Sequence, residues 1–460
     1  MLPDASAVPK DVMAVLRALR AAGKQAWLAG GAVRDLLRGH GAQDFDVATD
    51  AVPAEVAGLF PKVIPTGIQH GTVTVLSGEH KVEVTTFRGE GPYLDGRRPS
   101  EVTFLREIDG DLARRDFTIN AIAWDPIAGA LRDPFHGEDD LRRCRLRAVG
   151  DPLARFREDG LRPLRAARFA CTLRLAIEPA TLRAIPQALD VFGKVAMERV
   201  RDEFVKLLLR GAPPSRGLRL LLRTGLLKGM IPELLESVGF AQNRYHRWDV
   251  FQHTLRCVDA TPPDLVVRLA GLLHDVAKPR SAKPREGAPG EHTFYDHEKL
   301  GAAMAVEILQ RLKFPRRETE RVALLVAEHN WHYQSEWSDS TVRRVLARIG
   351  AAELPDLWAL RHADLRARGR LVEEGLRNQA EAEKRFAREI EREAALKITD
   401  LAITGTDVMR ELSLPPGRKV GQVLSRLLER VLDDPNLNTR EHLLSLVSEV
   451  AEELSTTNPQ

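Results

Sequence analysis

The segment AWLAGGAVRDLLRGHGAQDFDVATD, residues 26–50, joins a short apolar run to two glycines, a helix-like stretch and two aspartates one residue apart. A glycine pair between a strand and a helix lets a phosphate group approach backbone N–H groups, because no Cβ stands in the way. Gly30 and Gly31 fit this role, and Arg34, one turn into the helix, is the expected charge partner. A glycine pair alone is weak evidence, since most such pairs are simply turns.

The two aspartates, Asp44 and Asp46, make the prediction more specific. On a strand they project to the same face, because side chains repeat every two residues. Adjacent carboxylates repel each other unless cations lie between them, and Mg²⁺ with oxygen ligands is the natural occupant. Glu83, between two valines in KVEVTTFR, supplies a third acid where an unpaired carboxylate would be costly. The three acids predict a two-metal site, whereas an isolated Asp-x-Asp is usually a solvated turn.

Length and composition predict a soluble, cytoplasmic protein of several domains. The 460 residues suggest roughly three or four domains. No apolar run approaches the roughly 18–20 residues that span a bilayer, and no secretory signal is visible, so no membrane association is expected. Cys144, Cys171 and Cys257 are scattered without a CxxC pair, which is typical of reduced thiols in the cytoplasm.

The positive charge is concentrated in one part of the chain. Residues 141–223 contain 19 Lys and Arg against 8 Asp and Glu, while the whole chain has a net charge of only +3. Clustered basic residues favour a phosphate-binding face, because they release counterions on meeting nucleic acid. A solvated, arginine-rich helical surface is the alternative. The last 30 residues carry six acids and one arginine, so a basic tail for gripping long RNA is absent.

Hydrophobic periodicity predicts an α+β class. VTVLSG and HKVEVTTFR alternate as half-buried antiparallel strands do, around a turn at Gly78. After about residue 150 the apolar spacing of three and four residues predicts amphipathic helices. Pro213–Pro214 and Pro232 mark helix boundaries, residues 278–293 form a Pro- and Gly-rich loop, and a long charged helix follows residue 371.

The ordered motifs of the first 170 residues resemble those of a known family. Gly-Gly, Asp-x-Asp and a later acid between apolar residues resemble the nucleotidyltransferase superfamily that includes DNA polymerase β. IPTGIQHGTVTVL, VEVTTFR, DGRRPSEVTF and DLARRDFTINAIA follow in order between residues 64 and 123, and RFREDGLRPLRAARFA occupies 155–170. Together they resemble the class II tRNA nucleotidyltransferases and bacterial poly(A) polymerases, which extend RNA 3′ ends without a template.

Asp159 and Arg162 are the predicted base-reading residues. They stand three apart, so on one helix they would share a face. A carboxylate can accept a hydrogen bond from the amino group of cytosine or adenine, and a guanidinium can donate to ring acceptors; uracil would leave both unpaired. The resemblance implies that these residues read the incoming base, and Arg165 and Arg168 complete the set. Capping of a helix by Glu158 and Asp159 is the alternative.

Two further segments are expected to contact the substrate. RRDFTINA resembles the family's ribose- and phosphate-contacting segment, with Arg115, Asp116 and Asn120 as candidates, and which of them meets the 2′-hydroxyl stays open. Residues 89–99 resemble the flexible loop needed for adding the terminal adenosine. The charged residues of that loop are Asp95, Arg97 and Arg98. The loop argues against an enzyme that adds only CC, and the acidic tail argues against a poly(A) polymerase.

A second pattern lies in the middle of the chain. His253, the adjacent pair His274–Asp275, and Asp364 follow the order of the HD phosphohydrolase signature. Such a set can gather around a divalent transition metal that activates water. His297 and His329 could extend it towards a second metal. The resemblance implies trimming of 2′,3′-cyclic phosphates and phosphomonoesters, unless the domain is only an RNA-positioning scaffold. Three other histidines are expected to be structural or at the surface: His292, His332 and His362.

The sequence therefore predicts a tRNA nucleotidyltransferase that uses Mg²⁺ and adds CCA from CTP and ATP. An A-adding specialist and a poly(A) polymerase are alternatives, and a scaffold with HD activity alone is the alternative of another class. The expected domains are a polymerase-β-like head with a mixed sheet (1–140), a helical neck (141–240), an HD domain (241–370) and a C-terminal helical, tRNA-binding region (371–460). The sequence does not indicate the oligomeric state.

Overall fold

The structure is a computed structural model that describes residues 2–90, 102–242, 246–287, 291–331, 333–392 and 397–456. It divides into two compact units, Met1–Leu235 with Arg311–Lys313 and Glu236–Gln310 with Phe314–Gln460. Some residues singled out from the sequence lie outside the described ranges, namely Asp95, Arg97, Arg98 and His332. Within those ranges, no helix is long and apolar enough to cross a membrane.

The first unit is built on a mixed sheet with the strand order β3-β4-β5-β2-β1-β8-β9. Its strands are β1 (Ala26–Ala29), β2 (Asp46–Thr49), β3 (Val63–Gly67), β4 (Thr72–Ser77), β5 (His80–Thr86), β8 (Ala123–Asp125) and β9 (Ala130–Arg132). Shorter pairs are β6 (Arg88–Glu90) with β7 (Val102–Phe104) and β10 (Arg145–Leu146) with β11 (Ala176–Ile177). Strands β2 and β5 run parallel, and the other neighbours in the large sheet run antiparallel.

The predicted hairpin at Gly78 is confirmed. Ser77 pairs with His80, and Gly78 adopts a left-handed φ of +56° that suits a tight turn. The alternation of β4 and β5 places valines on the buried face, where they pack into the core under helix α1. On the opposite face of β5 the Glu83 side chain is exposed.

Helices pack around this sheet and then continue as an all-helical segment. Those of the sheet region are α1 (Lys10–Ala21), α2 (Gly31–Leu37), α3 (Pro53–Leu59), α4 (Ile108–Ala113) and α5 (Gly137–Arg142). The helical segment comprises α6 (Pro152–Glu158), α7 (Arg162–Thr172), α8 (Pro179–Gln187), α9 (Leu189–Phe192), α10 (Met197–Arg210), α11 (Pro214–Thr224) and α12 (Leu226–Met230). The predicted boundaries are confirmed, since α11 begins at Pro214 and a 3₁₀ turn begins at Pro232.

The second unit is helical in its described part. Its helices are α13 (Val250–Ala260), α14 (Leu265–Leu273), α15 (Lys278–Ser281), α16 (His297–Arg311), α17 (Arg316–Glu328), α18 (Asp339–Ile349), α19 (Leu354–Arg368), α20 (Val372–Glu391), α21 (Gly405–Glu411), α22 (Arg418–Asp433) and α23 (Arg440–Thr456). Residues 278–293 are not a plain loop: helix α15 is followed by the strand pair β12 (Lys283–Pro284) and β13 (His292–Thr293). The predicted long helix after residue 371 is α20, and α21 to α23 share a core of their own.

Candidate active sites

The acids of the first site meet at the start of strand β2. Asp46 pairs with Glu83 across the parallel strands and with Ala29 of β1. Since paired residues share a face, both carboxylates lie on the exposed side of the sheet. Two expectations were wrong in detail. Asp44 precedes β2 instead of lying on the strand with Asp46, and Glu83 is exposed, so its carboxylate is not destabilised by burial.

The charges around Asp46 favour a cation. Partial removal from water raises the pKa of Asp46 to about 6, and the negative charges of Glu83 and Asp44 add to the effect while Arg115 opposes it. A carboxylate that is difficult to ionise beside two others regains its charge when a cation binds between them. The oxygen donors and their mutual repulsion therefore fit Mg²⁺.

Gly30 lies next to these acids for a conformational reason. It has a φ of +78°, and a Cβ built on it would lie 2.6 Å from Arg115 Nη1 and 3.9 Å from Asp46 Oδ2. The positive φ favours glycine at this position, and a side chain there would have to displace the Arg115 guanidinium. Gly31 begins α2 directly after it, so the predicted strand–glycine–helix junction is confirmed.

A buried polar network joins α2 to the helical segment of the same unit. Arg34 donates from Nη1 to Asn120 Oδ1 (2.8 Å), and Asn120 donates from Nδ2 to Asp116 Oδ1 (3.0 Å). Arg165 of α7 donates from Nε to Asp116 Oδ2 (2.8 Å). Burial disfavours the Asp116 carboxylate, but Arg165 and Asn120 outweigh it and lower its pKa to about 2. Arg34 also pairs with Asp35, so the structure shows its guanidinium in protein contacts, and its predicted phosphate contact stays a prediction.

Arg168 extends this network inside the first unit. Its Nε lies 2.5 Å from Glu203 Oε2, and its guanidinium lies 3.8 Å from the centre of the Phe169 ring. Arg34 and Arg165 approach the same ring at 5.3 Å. Cations over an aromatic face are stabilised by the ring quadrupole. These contacts hold the arginines in fixed positions.

The predicted shared helix face of Asp159 and Arg162 was wrong. Helix α6 ends at Glu158 and α7 begins at Arg162, so Asp159 lies in the turn between them. The Asp159 carboxylate accepts from the Leu161 N–H (3.0 Å) and from Arg199 Nη2 (2.8 Å). Arg162 donates to Glu158 Oε2 and to two backbone carbonyls, which fix its guanidinium.

The predicted HD residues come together in the second unit. His253, His274 and Asp364 can present one ligand atom each within 4.8 Å of one another, and Asp275, His297 and His329 form a second such group. Asp275 lies between the groups: Oδ2 is 3.2 Å from His274 Nε2, and Oδ1 is 3.5 Å from His297 Nε2. The six residues are buried. Mixed imidazole and carboxylate ligands with a shared aspartate fit two divalent metals.

The histidine tautomers support metal binding. Nδ1 of His274, His297 and His329 each faces a backbone carbonyl at 2.7–2.9 Å, and a carbonyl can only accept. Their Nε2 atoms therefore carry the lone pairs that point to the aspartates, as in metal sites with oriented ligands. Burial lowers the pKa of His253 and His329, which keeps them neutral as ligands must be. Burial also acts to lower the pKa of His274, but interactions with Asp275 and Asp364 together outweigh this effect, so the pKa of His274 is raised.

Sequence reasoning missed the cations beside this centre. Lys278 donates to Asp275 Oδ2 (2.7 Å), and Arg368 donates to Asp364 Oδ2 (2.7 Å). Both line a cavity of 630 Å³ together with His246 and His292, whereas His362 bonds Glu383 away from the centre. Lys278 could have been found, because it follows Asp275 by three residues and so reaches the same side of the turn.

Three family models match the chain. They are a poly A polymerase head domain over residues 26–147, a probable RNA and SrmB-binding site of polymerase A over 174–237, and an HD domain over 244–393. The first covers the Asp-x-Asp segment and Glu83, and the third covers both histidine–aspartate groups. The matches thus agree with the nucleotidyltransferase and HD interpretations of the two sites.

Curated relatives and solved structures that resemble this chain include several CCA-adding enzymes. The CCA-adding enzyme of Lactobacillus helveticus is 50% identical over 206 residues, which are 45% of this chain and 51% of that protein, so the chain spans about half the length of this relative. The CCA-adding enzyme of Lactococcus lactis is 33% identical over 442 residues, 93% of this chain and 94% of that protein. The crystal structure of the Bacillus stearothermophilus CCA-adding enzyme in complex with CTP is 28% identical, with a TM-score of 0.73 over 98% of this chain and 99% of that one. This chain belongs to the class II CCA-adding enzyme family.

Proposed function

We propose that this protein adds CCA to tRNA 3′ ends from CTP and ATP without a nucleic-acid template. The observation that carries the proposal is the pairing of Asp46 with Glu83 on an open sheet face beside Gly30, which has a positive φ. Family membership supports it, since the relatives above are CCA-adding enzymes. We propose that the chain carries out these functions with four domains: a head (1–140), a neck (141–240), an HD domain (241–370) and a C-terminal tRNA-binding region (371–460).

The head residues act on the triphosphate and the RNA hydroxyl. Asp44 and Asp46 hold Mg²⁺, with Glu83 completing the acidic set. Mg²⁺ bound there would lower the pKa of the attacking 3′-hydroxyl and neutralise charge on the leaving pyrophosphate. Gly30 and Gly31 let phosphate oxygens approach the backbone, and Arg115, against Gly30, offers a positive charge beside them.

The neck residues select the base. Asp159 accepts from the amino group of cytosine or adenine, and Arg162 donates to a ring acceptor. Their fixed partners, Arg199 and Glu158, hold both groups in place before the nucleotide arrives. UTP and GTP present a carbonyl oxygen and a ring N–H where CTP and ATP present an amino group and a ring acceptor, so they form neither hydrogen bond and are rejected. The loop with Asp95, Arg97 and Arg98 is proposed to act at the step from C to A addition.

Incorporation assays test this proposal directly. Purified protein is incubated with Mg²⁺, labelled CTP or ATP, and tRNA transcripts ending at the discriminator base, at C or at CC. Addition of two cytidines and one adenosine, followed by a stop, is expected. ATP addition to the CC transcript alone would indicate an A-adding specialist, and long adenosine ladders a poly(A) polymerase. Asp46→Asn should abolish incorporation, while Glu79→Gln, an exposed acid in the adjacent hairpin turn, should not.

We further propose that the HD unit, the HD domain of the second unit, hydrolyses phosphate esters at RNA ends with divalent transition metals. The observation that favours this second function is the pair of ligand groups joined by Asp275. Metals held there would supply an activated water. Water adds to phosphorus, the bond to the ribose oxygen breaks, and that oxygen takes the proton. Lys278 and Arg368 fix the two aspartates throughout.

A phosphate-release assay separates a hydrolase from a scaffold. The protein is loaded with Ni²⁺, Co²⁺ or Mn²⁺ in turn and given adenosine 3′-monophosphate or 2′,3′-cyclic phosphate. Hydrolysis that disappears in Asp275→Asn, while CCA addition persists in the same variant, supports the proposal. Full CCA addition without any hydrolysis under every metal would leave the HD unit as a scaffold.

A further inference from the structure

Two cavities adjoin the HD centre and share part of their lining. His329 and Asp364 line both the 630 Å³ cavity and a second one of 190 Å³. The larger, here the Phe294 cavity, has an aromatic wall of His292, Phe294 and Tyr295. The smaller, here the Arg370 cavity, is lined by Arg361, Arg368, Arg370, Tyr333 and Asn378 among others. The Phe294 cavity also carries three cations, but four carboxylates face them. The Arg370 cavity also carries Trp331 and Glu374, and its three arginines outnumber its two carboxylates, so it is the more positively charged of the two.

The Arg370 cavity is suited to an anion. Arg368 donates from Nη2 to Asp364, while its buried Nε has no hydrogen-bond partner. Arg361 is held by Gln379 (2.8 Å from Nε) and by the His329 carbonyl (2.6 Å from Nη1), so its guanidinium has a fixed orientation. Arg370 is exposed at the rim. A planar, fixed guanidinium is the side chain best suited to bind phosphate oxygens.

The geometry of ribose relates the two cavities. In a nucleotide whose 2′- or 3′-phosphate lies at the metal ligands, the base on C1′ and the 5′ carbon on C4′ flank the C2′–C3′ bond, so the base and the 5′-phosphate reach two different neighbouring regions. An aromatic wall is a stacking surface for the base. The arginine-rich Arg370 cavity, which adjoins the same ligands, would then meet the 5′-phosphate. Both cavities share the metal ligands, as this arrangement requires.

We propose that the Arg370 cavity is a subsite for the 5′-phosphate group of the nucleotide whose 2′- or 3′-phosphate is hydrolysed at the HD centre. The subsite rests on the proposed phosphohydrolase function and specifies its substrate class. A nucleotide with phosphate on both sides of its ribose, such as the last residue of an RNA chain, is preferred to a 3′-mononucleotide. Asn378 and Tyr333, at the same cavity, provide neutral hydrogen-bonding groups for the remaining phosphate oxygens.

Three substrates test the subsite: adenosine 3′-monophosphate, adenosine 3′,5′-bisphosphate, and the dinucleotide cytidylyl-adenosine 3′-phosphate. The wild type is expected to favour the bisphosphate over the monophosphate by about tenfold in kcat/KM, the scale of one charge-assisted hydrogen bond. Arg370→Gln and Asn378→Asp should reduce this ratio towards one. Because the ratio is internal to each preparation, partial misfolding of a variant does not change it. The matched control is Arg366→Gln, an exposed arginine one turn away on α19 that does not line the cavity, and it should keep the wild-type ratio.

The dinucleotide distinguishes the two sources of a 5′-phosphate. If it is hydrolysed as well as the bisphosphate, the subsite accepts a phosphodiester and the substrate is an RNA end. If the bisphosphate alone is favoured, the subsite recognises a free nucleotide. A wild-type ratio near one, or an unchanged ratio in Arg370→Gln, overturns the proposal.

Failure of hydrolysis would not hide the answer. If no substrate is cleaved under any metal, the phosphohydrolase proposal fails, and calorimetric binding of the bisphosphate still tests the subsite. Binding at least several-fold weaker in Arg370→Gln than in Arg366→Gln supports it, and equal affinity overturns it. Nucleotide bound by the head contributes equally to both variants, because neither residue lies in that unit.

Discussion

Replacing Asp116 with asparagine should loosen the helical segment of the first unit at neutral pH. The Asp116 side chain is 8% exposed and accepts hydrogen bonds from Arg165 and Asn120. Its pKa falls from 3.8 to about 2, which corresponds to a stabilisation of about 2 to 3 kcal/mol at about 1.4 kcal/mol per pKa unit. Asp116→Asn removes the charge, so the free energy needed to open α7 locally should fall by this amount.

Hydrogen exchange measured by mass spectrometry reports this opening locally, which suits a chain of several domains. Peptides from α7 and α10 should exchange about 30-fold faster at pH 7 in Asp116→Asn. Because the folded-state pKa is lowered, the stabilisation is complete above about pH 4 and lost as the pH falls through about 2. The difference between the two proteins should shrink over that interval.

A matched surface pair supplies the control. Asp202 pairs with Arg201, but its side chain is 57% exposed, so Asp202→Asn should change the opening free energy by less than about 0.5 kcal/mol. Exchange of α7 peptides within twofold of wild type in Asp116→Asn at pH 7 would refute the reasoning, because the buried ion pair would then contribute nothing.

Three other outcomes are expected. Asp46→Asn should lower CTP and ATP incorporation by about three orders of magnitude or more without changing the melting temperature by more than a few degrees, in assays run beside thermal unfolding. Gly30→Ala should cost more stability and more activity than Gly23→Ala, because both have a positive φ but only the Cβ at Gly30 meets other atoms; equal effects would contradict this. Metal analysis after Ni²⁺ loading should find two ions per chain in the wild type, none in Asp275→Asn and one in Asp364→Asn, whereas equal losses in both variants would argue against a shared aspartate.

The parts of the fold predicted correctly are those fixed by local patterns. Strands β4 and β5 alternate in hydrophobicity over consecutive residues, and Gly78 permits the turn between them. Helix α7 and helix α10 follow apolar spacings of three and four residues. The register that pairs Asp46 with Glu83 is different, since it joins residues far apart in the chain and depends on how the whole sheet assembles.

The Asp159–Arg162 geometry failed because a distant contact decides it. A Cβ at Gly160 would lie 2.4 Å from the Val191 carbonyl oxygen, so the chain turns there against the backbone of α9. Spacing of three residues implies a shared face only inside an unbroken helix. Gly160 and Pro163 were local signals of the break, because proline is favoured in the first turn of a helix.

The HD ligands were predictable because their types and order are distinctive, but their surroundings were not. The adjacent His274 and Asp275 bring an imidazole ligand and a carboxylate ligand together in the sequence, and this pairing is easy to recognise. Arg368, by contrast, is one of many arginines in a helix, and only the fold brings it to Asp364. The role of a cation such as Arg368 in fixing a metal ligand therefore depends on the tertiary fold and is not visible in the local sequence.

The arginine-rich segment shows why the charge of a sequence overstates the charge that a protein offers to RNA. Many of its guanidinium groups pair with carboxylates of the same unit: Arg145 and Arg147 with Asp140, Arg155 and Arg162 with Glu158, Arg165 with Asp116, Arg168 with Glu203, and Arg199 with Asp159. A guanidinium already neutralised by a buried carboxylate releases few counterions when RNA binds. The excess of +11 over residues 141–223 therefore divides into two roles. The paired arginines hold elements of the first unit together, and the proposed RNA contacts would fall to basic residues outside these pairs.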